Sequence, residues 1–234
     1  MGRGHDKPIH GPPGDHMHYI ARPAVPAAMG EPGLLPRIVT RGDTALSWDG
    51  PVPWTEAVEG LDRALEEFGK VLVWDLEGIE RNRPDLRLVR HFEGEDLWVD
   101  AGVRLAEGVI DVLVGGAERA VVGTKTLRGL EELEDARDLT ENIVPLLDFA
   151  YGELRATPKL RPVPPLDLLR RCKGLGLETA LLVDEEFKVP ASLLREAPEG
   201  MSLFAGLVAR KDAESLPPRA GAIVDIWEVV PRKT

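Results

Sequence analysis

The stretch WVDAGVRLAEGVIDVLVGGAERAVVG, residues 98–123, consists of a short apolar run, a helical pattern and a second short apolar run. Neither run alternates strictly between polar and apolar residues, which is typical of strands that are buried on both faces. A helix between two such strands predicts a right-handed β-α-β unit within a parallel sheet.

The same rhythm of strand and helix continues along most of the chain. Seven apolar runs are predicted strands: KVLVWD (70–75), DLWVD (96–100), RAVVG (119–123), NIVPLLD (142–148), ETALLVD (178–184), MSLFAG (201–206) and GAIVDIW (221–227). HYIARPAV (18–25) is predicted to supply an eighth strand at the front. Eight such units in about 215 residues are typical of a single α/β domain, a (β/α)8 TIM barrel. A doubly wound open sheet is the alternative fold.

A weak internal repeat divides the predicted barrel into two halves. PAVPAAMG (23–30) matches PLLDFAYG (145–152) at a proline, an aliphatic residue and a glycine, with the same spacing. DAGVR followed by AERAVVG in the first half is echoed by FAGLV followed by RAGAIVD in the second half. The repeat predicts a duplicated half-barrel within residues 19–231, with halves at roughly 19–139 and 140–231.

Residues 1–18 precede the barrel as a segment rich in glycine, proline and histidine. It contains four of the five histidines of the chain: His5, His10, His16 and His18. We interpret it as a flexible tail with solvated histidines, because an unanchored tail does not hold metal ligands in a fixed geometry. A metal-binding arm is the alternative.

Composition restricts the class of partner. The chain has 29 Lys and Arg against 40 Asp and Glu, a net charge of −11, which argues against nucleic acid or an anionic membrane as partner. Cys172 is the single cysteine, so neither a disulfide framework nor a thiolate metal cluster is expected. No apolar run approaches the roughly 20 residues that span a bilayer, and the first residues lack the apolar core of a signal peptide. We therefore expect a cytoplasmic protein, whose oligomeric state the sequence leaves open.

Aspartates follow most of the predicted strands. The residues taken as the carboxyl ends of the seven strands are Asp75, Asp100, Gly123, Asp148, Asp184, Gly206 and, within the last run, Asp225. The carboxyl ends of the strands surround the active site of a TIM barrel, so these aspartates are candidates for acid–base chemistry. Two alternatives stay open: aspartate is a common helix N-cap, and carboxylates are also the ligands that Mg²⁺ prefers.

Two glycine turns suggest a phosphate site. AGVR (101–104) and GTKTL (123–127) each lie between a predicted strand and the helix that follows it. Backbone N–H groups in such turns bind phosphate, and a nearby cation strengthens the binding. The residues expected to hold the phosphate are Gly102, Arg104, Gly123, Thr124 and Lys125. Close packing of the turns is the alternative explanation for the glycines.

Residues 98–127 resemble the (β/α)8 barrels of histidine biosynthesis. These are the phosphoribosylformimino-aminoimidazole carboxamide ribotide isomerase (ProFAR isomerase) and the imidazole-glycerol-phosphate synthase cyclase. Both have a glycine-rich turn ending in Val/Ile-Arg after strand three and a Val/Ile-Gly-Thr turn after strand four. VWDLEGIERNRPDL (73–86) and PRIVTRGDT (36–44) are similar to the family's strand two and its strand-one hairpin. The resemblance starts at about residue 20, is clear through residue 127 and is faint after residue 150.

The resemblance implies a barrel of duplicated halves and two catalytic aspartates. ProFAR isomerase performs an Amadori rearrangement with one aspartate at the end of strand one and another at the end of strand five. The strand-five aspartate corresponds to Asp148, whereas the strand-one aspartate aligns with Pro26, which cannot transfer a proton. The family's second phosphate site corresponds to turns at Ala205–Leu207 and Asp225–Trp227, where the Asp225 carboxylate repels a phosphate.

These departures lead to one expected function and two alternatives. We expect a divergent ProFAR-isomerase-like enzyme of the isomerase or lyase type that acts on a small, singly phosphorylated metabolite, in a reaction other than the histidine-pathway step. Asp148 is the expected acid or base, with Asp75 or Asp184 as its partner, and no cofactor is expected. The alternatives are a non-catalytic relative that binds a ligand or a partner subunit, and a Mg²⁺-dependent enzyme that uses the strand-end aspartates.

Overall fold

The computed structural model describes residues 33–184, 189–217, 220–230 and 232 of the chain. Eleven strands and eight α-helices alternate along these residues. In chain order they are β1 (Leu34–Arg41), β2 (Thr44–Ser47), β3 (Gly50–Val52), α1 (Trp54–Phe68), β4 (Val71–Asp75), α2 (Leu76–Arg81), α3 (Arg87–His91), β5 (Leu97–Asp100), α4 (Ala106–Val114), β6 (Arg119–Gly123), α5 (Leu130–Leu139), β7 (Ile143–Ala150), β8 (Glu153–Arg155), α6 (Pro165–Gly174), β9 (Thr179–Asp184), α7 (Ala191–Glu196), β10 (Ser202–Gly206), a 3-10 helix (Arg210–Ser215), β11 (Ala220–Asp225) and α8 (Ile226–Val229).

Eight parallel strands close into a barrel. They are ordered β1, β4, β5, β6, β7, β9, β10 and β11, and β11 pairs with β1 to complete the circle. β1 pairs with β11 through residues 34–37 and with β4 through residues 37–40. The predicted (β/α)8 barrel is therefore confirmed, and the alternative of an open sheet is wrong. Among the described residues, no helix is long and apolar enough to cross a membrane.

The first barrel strand differs from the prediction. The segments HYIARPAV and PAVPAAMG lie outside the described residues. The position between β11 and β4 is occupied by β1, so Leu34–Arg41 is the first strand of the barrel. Pro36, Arg37 and Arg41 interrupt the apolar pattern of this segment, and for this reason the sequence pattern did not identify it as a buried strand.

The two halves of the barrel nevertheless match in their strand register. β1 turns into β2 through a two-residue loop at 42–43, and β7 turns into β8 through a two-residue loop at 151–152. Val39 of β1 lies opposite Trp74 on the next barrel strand, as Asp148 of β7 lies opposite Val183. The residue that corresponds to Asp148 in the first half is therefore Val39 rather than Pro26. The first half still lacks this carboxylate, but the residue at the matching position is a valine and not a proline.

Two apolar layers hold the barrel together. The inner layer fills the barrel itself with side chains from alternate strand positions, among them Leu35, Leu72, Val144, Leu181 and Ile223. The outer layer lies between the strands and the helices, where α1 buries Ala57, Leu61, Ala64 and Leu65 along one face.

Leu35→Ala tests the position of the first barrel strand. Leu35 is 0% exposed in the inner layer, so its truncation leaves a cavity and we expect the free energy of unfolding to fall by about 2–5 kcal/mol. Leu139→Ala is the matched control, because Leu139 is 57% exposed and its truncation should change stability by less than about 0.5 kcal/mol. Urea unfolding monitored by circular dichroism measures both variants. Equal effects for the two would contradict the assignment of β1 to the barrel.

Candidate active site

A cavity of about 600 Å³ opens at the carboxyl ends of the barrel strands. Its position agrees with the general location of active sites in this fold. The lining combines apolar side chains with polar and charged ones. The lining residues are Trp74, Leu76, Ile79, Glu80, Asp100, Arg104, Lys125, Thr126, Arg128, Asp148 and Thr157.

Asp148 projects into this cavity from β7 and is surrounded by hydrogen-bond donors. Its Oδ2 accepts from the backbone N–H of Lys125 at 3.1 Å and from the Thr124 hydroxyl at 3.4 Å. The Lys125 ammonium lies 3.8 Å from its Oδ1. The residue is only 6% exposed, and these donors stabilise its negative charge at a site with little water.

Asp100 projects into the same cavity from β5 but has far fewer donors. It is 4% exposed, and the backbone N–H of Gly102 donates to its Oδ1 at 2.9 Å. Burial first, and then the nearby charge of Asp148, raise the pKa of Asp100 to about 7, although Gly102 N–H and Lys125 oppose the shift. Near neutral pH this carboxyl therefore exchanges between its protonated and ionised forms.

Gly123 allows the two carboxyls to approach each other. A Cβ atom placed on Gly123 would lie 3.0 Å from Oδ2 of Asp148 and 3.8 Å from Oδ2 of Asp100. Any side chain at this position would push against Asp148 and would occupy the space between the carboxyls. The glycine at the end of β6 is thus a condition for the pair.

The other two predicted catalytic residues lie outside the cavity lining. Asp75 is the N-cap of α2, and it accepts from the backbone N–H groups of Glu77, Gly78 and Asp85 at 3.1, 3.2 and 2.7 Å. Burial raises the pKa of Asp75 above its ordinary value, although these three hydrogen bonds oppose the shift. Asp184 is 0% exposed and accepts from the backbone N–H of Gly152 at 2.8 Å. The cavity therefore brings Asp148 together with Asp100. Asp100 is one of the predicted strand-end aspartates, but Asp75 or Asp184 was the expected partner.

Four backbone amides of the predicted phosphate turns have acceptors within the protein. Gly102 N–H donates to Asp100, Thr124 N–H to the Leu146 carbonyl, Lys125 N–H to Asp148 and Thr126 N–H to the Gly123 carbonyl. A Cβ on Gly102 would lie 2.5 Å from the Cα of Ile79, so close packing explains this glycine. These four amides are therefore engaged, and the side-chain cations of the lining are further groups that can bind an anion.

Arg104 holds the cavity wall together. Its guanidinium donates to the carbonyls of Gly78 at 3.1 Å, Ile79 at 2.9 Å and Gly102, and to Oδ1 of Asn82 at 2.9 Å. These bonds attach the strand-three turn to the last turn of α2. Lys125 and Arg128 supply further positive charge to the lining, and the Lys125 side chain is 42% exposed.

The opposite side of the mouth carries an ion pair. Asp225 accepts from the Arg37 guanidinium at 3.1 Å and from the backbone N–H of Trp227 at 3.0 Å. Trp227 is a core residue, 7% exposed, whose indole N–H donates to the Leu46 carbonyl. Within the described residues, no three side chains of His, Cys, Asp or Glu come together as a metal-binding group. The predicted ring of aspartates is instead divided among a helix cap, an ion pair, a backbone contact and the carboxyl pair.

Comparison of the chain with known protein families and with curated proteins finds no match.

Asp100→Asn tests the shifted pKa through stability. A carboxyl whose pKa is about 7 in the folded state and about 3.9 in the unfolded state favours folding below pH 4, and this contribution is lost as the pH rises to 7 and above. The variant removes this dependence, so its free energy of unfolding relative to the wild type should increase by roughly 2–4 kcal/mol between pH 4 and pH 8.

Denaturant unfolding at both pH values measures this difference. Asp111→Asn is the matched control, because Asp111 is exposed on α4 and its replacement should have the same small effect at both pH values. A pH-independent difference between Asp100→Asn and the wild type would contradict the assignment.

Proposed function

We propose that the cavity is the active site of an enzyme that transfers protons on a small, singly phosphorylated metabolite, in a reaction of the isomerase or lyase type. The observation that carries this proposal is the pair of buried carboxyls, Asp100 and Asp148, which share one cavity and differ in their surroundings. Two carboxyls whose environments differ in this way can divide the roles of acid and base.

Asp148 is suited to act as the general base. The Lys125 N–H and the Lys125 ammonium favour its ionised form, and a carboxylate can remove a proton from a substrate carbon or hydroxyl next to a carbonyl or imine. Asp100, with a pKa of about 7, is suited to act as the general acid and to donate its proton to the oxygen or nitrogen on which negative charge develops. One proton leaves the substrate and one arrives, so the step requires no oxidant or reductant.

The cations of the cavity favour an anionic substrate. Arg104, Lys125 and Arg128 face the cavity in a protein whose net charge is −11. Four of the turn amides and the Arg104 guanidinium are engaged within the protein, so Lys125 and Arg128 are the groups we expect to bind a phosphate. The volume of about 600 Å³ limits the ligand to a small metabolite.

The apolar part of the lining completes the description of the ligand. Trp74, Leu76 and Ile79 of the lining offer contact to a carbon skeleton rather than to a second charged group. A phosphate at the cations and an apolar body against these residues would place the reactive carbons beside the two carboxyls.

The arrangement of carboxyls supports a reaction other than ProFAR isomerisation. The resemblance implies acid–base residues on strands one and five of the barrel, whereas the cavity combines β5 and β7, which are strands three and five. The matching position on strand one is Val39, which transfers no proton. A changed acid–base pair in a similar barrel is consistent with a changed substrate.

Thermal unfolding with phosphate compounds tests the binding half of the proposal. We expect inorganic phosphate, glycerol phosphate and ribose 5-phosphate at millimolar concentration to raise the melting temperature relative to chloride of equal ionic strength, because a ligand that binds only the folded state stabilises it. Lys125→Met and Arg128→Met should reduce the effect, whereas Arg170→Met should not, because Arg170 lies on the outer helix α6 with its side chain 62% exposed. An equal response in all four proteins would contradict a phosphate site in the cavity.

Proton exchange tests the catalytic half of the proposal. We expect the wild type to exchange a carbon-bound proton of at least one compound in a panel of phosphorylated aldoses and ketoses in D₂O, observed by proton NMR. Asp148→Asn and Asp100→Asn should each slow this exchange by about 10²–10⁴-fold. Since Asp100 donates a proton in its acid form, the rate should fall as the pH rises above about 7. Phosphate binding without any exchange would favour the non-catalytic alternative.

A further inference from the structure

The side of the mouth opposite the carboxyl pair contains a cation inside the barrel. Leu35 is part of the inner layer, and Val39 packs against that layer. Alternate residues of a strand face the same side, so Arg37, which lies between these two, also faces inward. Its guanidinium lies 4.7 Å from the centre of the Trp74 ring, and its side chain is only 11% exposed. A positive charge in such a place requires a counter-charge.

Asp225 supplies this counter-charge from the neighbouring strand. Its Oδ2 accepts from Nη2 of Arg37 at 3.1 Å, and its Oδ1 accepts from the backbone N–H of Trp227. The Nε atom of Arg37 is buried and has no hydrogen-bond partner among the described residues. Within the part of the chain that the structure describes, the guanidinium therefore has donor capacity beyond its bond to Asp225.

The strand register shows what stands at the same place in the other half. Asp225 lies opposite Arg37 on β1, and Gly123 lies opposite Leu146 on β7. Arg37 and Leu146 are each two residues before the matching positions Val39 and Asp148. Gly123 and Asp225 therefore correspond. Gly123 has no side chain and leaves a cavity open. At the matching position, the Asp225 carboxylate neutralises the inward-facing guanidinium of Arg37.

We propose that Asp225 is a built-in counter-anion for Arg37, and that this ion pair limits the mouth of the barrel to ligands with a single anionic group. The limit to one anionic group rests on the proposed function, in which Lys125 and its neighbours bind that group. An ionised Asp225 repels a second anion and occupies the donor that would bind it. Without the carboxylate, Arg37 presents its planar set of donors to an external phosphate, for which guanidinium geometry is well suited.

The test measures the binding of inorganic phosphate after the carboxylate is removed. Lys125→Met serves as the background, because it removes a cation of the first side. Asp225→Asn in this background keeps an oxygen acceptor for Trp227 N–H, and Asp225→Gly copies the residue found at the matching position of the first half. We expect phosphate affinity to rise at least about tenfold in both variants, by isothermal titration calorimetry at constant ionic strength.

The controls separate this proposal from its premise. Adding Arg37→Met to either Asp225 variant should abolish the gain, because the gain requires the guanidinium. Folded variants whose phosphate affinity stays within about twofold of the background, or a gain that survives Arg37→Met, would overturn the proposal. If Asp225→Asn does not fold, Asp225→Gly still decides the matter, and phosphate-dependent melting temperatures provide a second readout.

The wild type and the single variant Asp225→Asn distinguish two kinds of failure. A wild type that binds no phosphate, together with a variant that binds it through Arg37, would contradict the proposed function and support the counter-anion. A wild type that binds phosphate, together with a folded variant that gains nothing, would contradict the counter-anion alone.

Discussion

The pairing of β1 with β4 on one edge and with β11 on the other is the interaction on which the mouth of the barrel depends. Because the strands are parallel and the sheet is closed, their carboxyl ends converge on one opening. Residues that are far apart in the chain, such as Arg37 and Asp225, become neighbours only through this closure. The same closure sets the register by which the two halves correspond.

Burial of Asp100 is the main cost of the arrangement at the cavity. A carboxyl with one backbone donor and a second carboxylate nearby is unfavourable in its charged form, and this is the reason for its raised pKa. A chain selected for stability alone would place an amide or an apolar residue at this position. Retention of the pair at some cost in stability is the pattern expected where the carboxyls have a function.

The sequence was sufficient to predict the barrel and the end of nearly every strand. The ends of β4, β5, β6, β9, β10 and β11 coincide with the predicted residues, because buried parallel strands give short apolar runs that end at glycine or aspartate. β1 was missed because its inward-facing Arg37 is neutralised by a residue 188 positions away, a compensation that no local pattern contains. Because β1 was not identified, Pro26 was aligned with Asp148, whereas the strand register aligns Val39 with Asp148.

The partner of Asp148 could not be chosen from the sequence because Asp75 and Asp100 look alike there. Each ends a buried strand and each precedes a segment with a glycine. The difference lies in the backbone that follows: three N–H groups turn towards Asp75, one of them from Asp85 ten residues away, and one turns towards Asp100. Hydrogen bonding from a distant loop therefore decides which aspartate is a helix cap and which remains a poorly solvated acid.

The two halves of the barrel thus share a register and differ in how they manage charge. Where β6 meets β7, the glycine at position 123 leaves room for the carboxyls of Asp100 and Asp148, and Lys125 lies beside the pair. Where β11 meets β1, an aspartate stands at the matching position and pairs with Arg37. Asp100, with a pKa of about 7, can exchange a proton with a ligand near neutral pH. The acid–base chemistry that we propose therefore lies on the Gly123 side of the mouth.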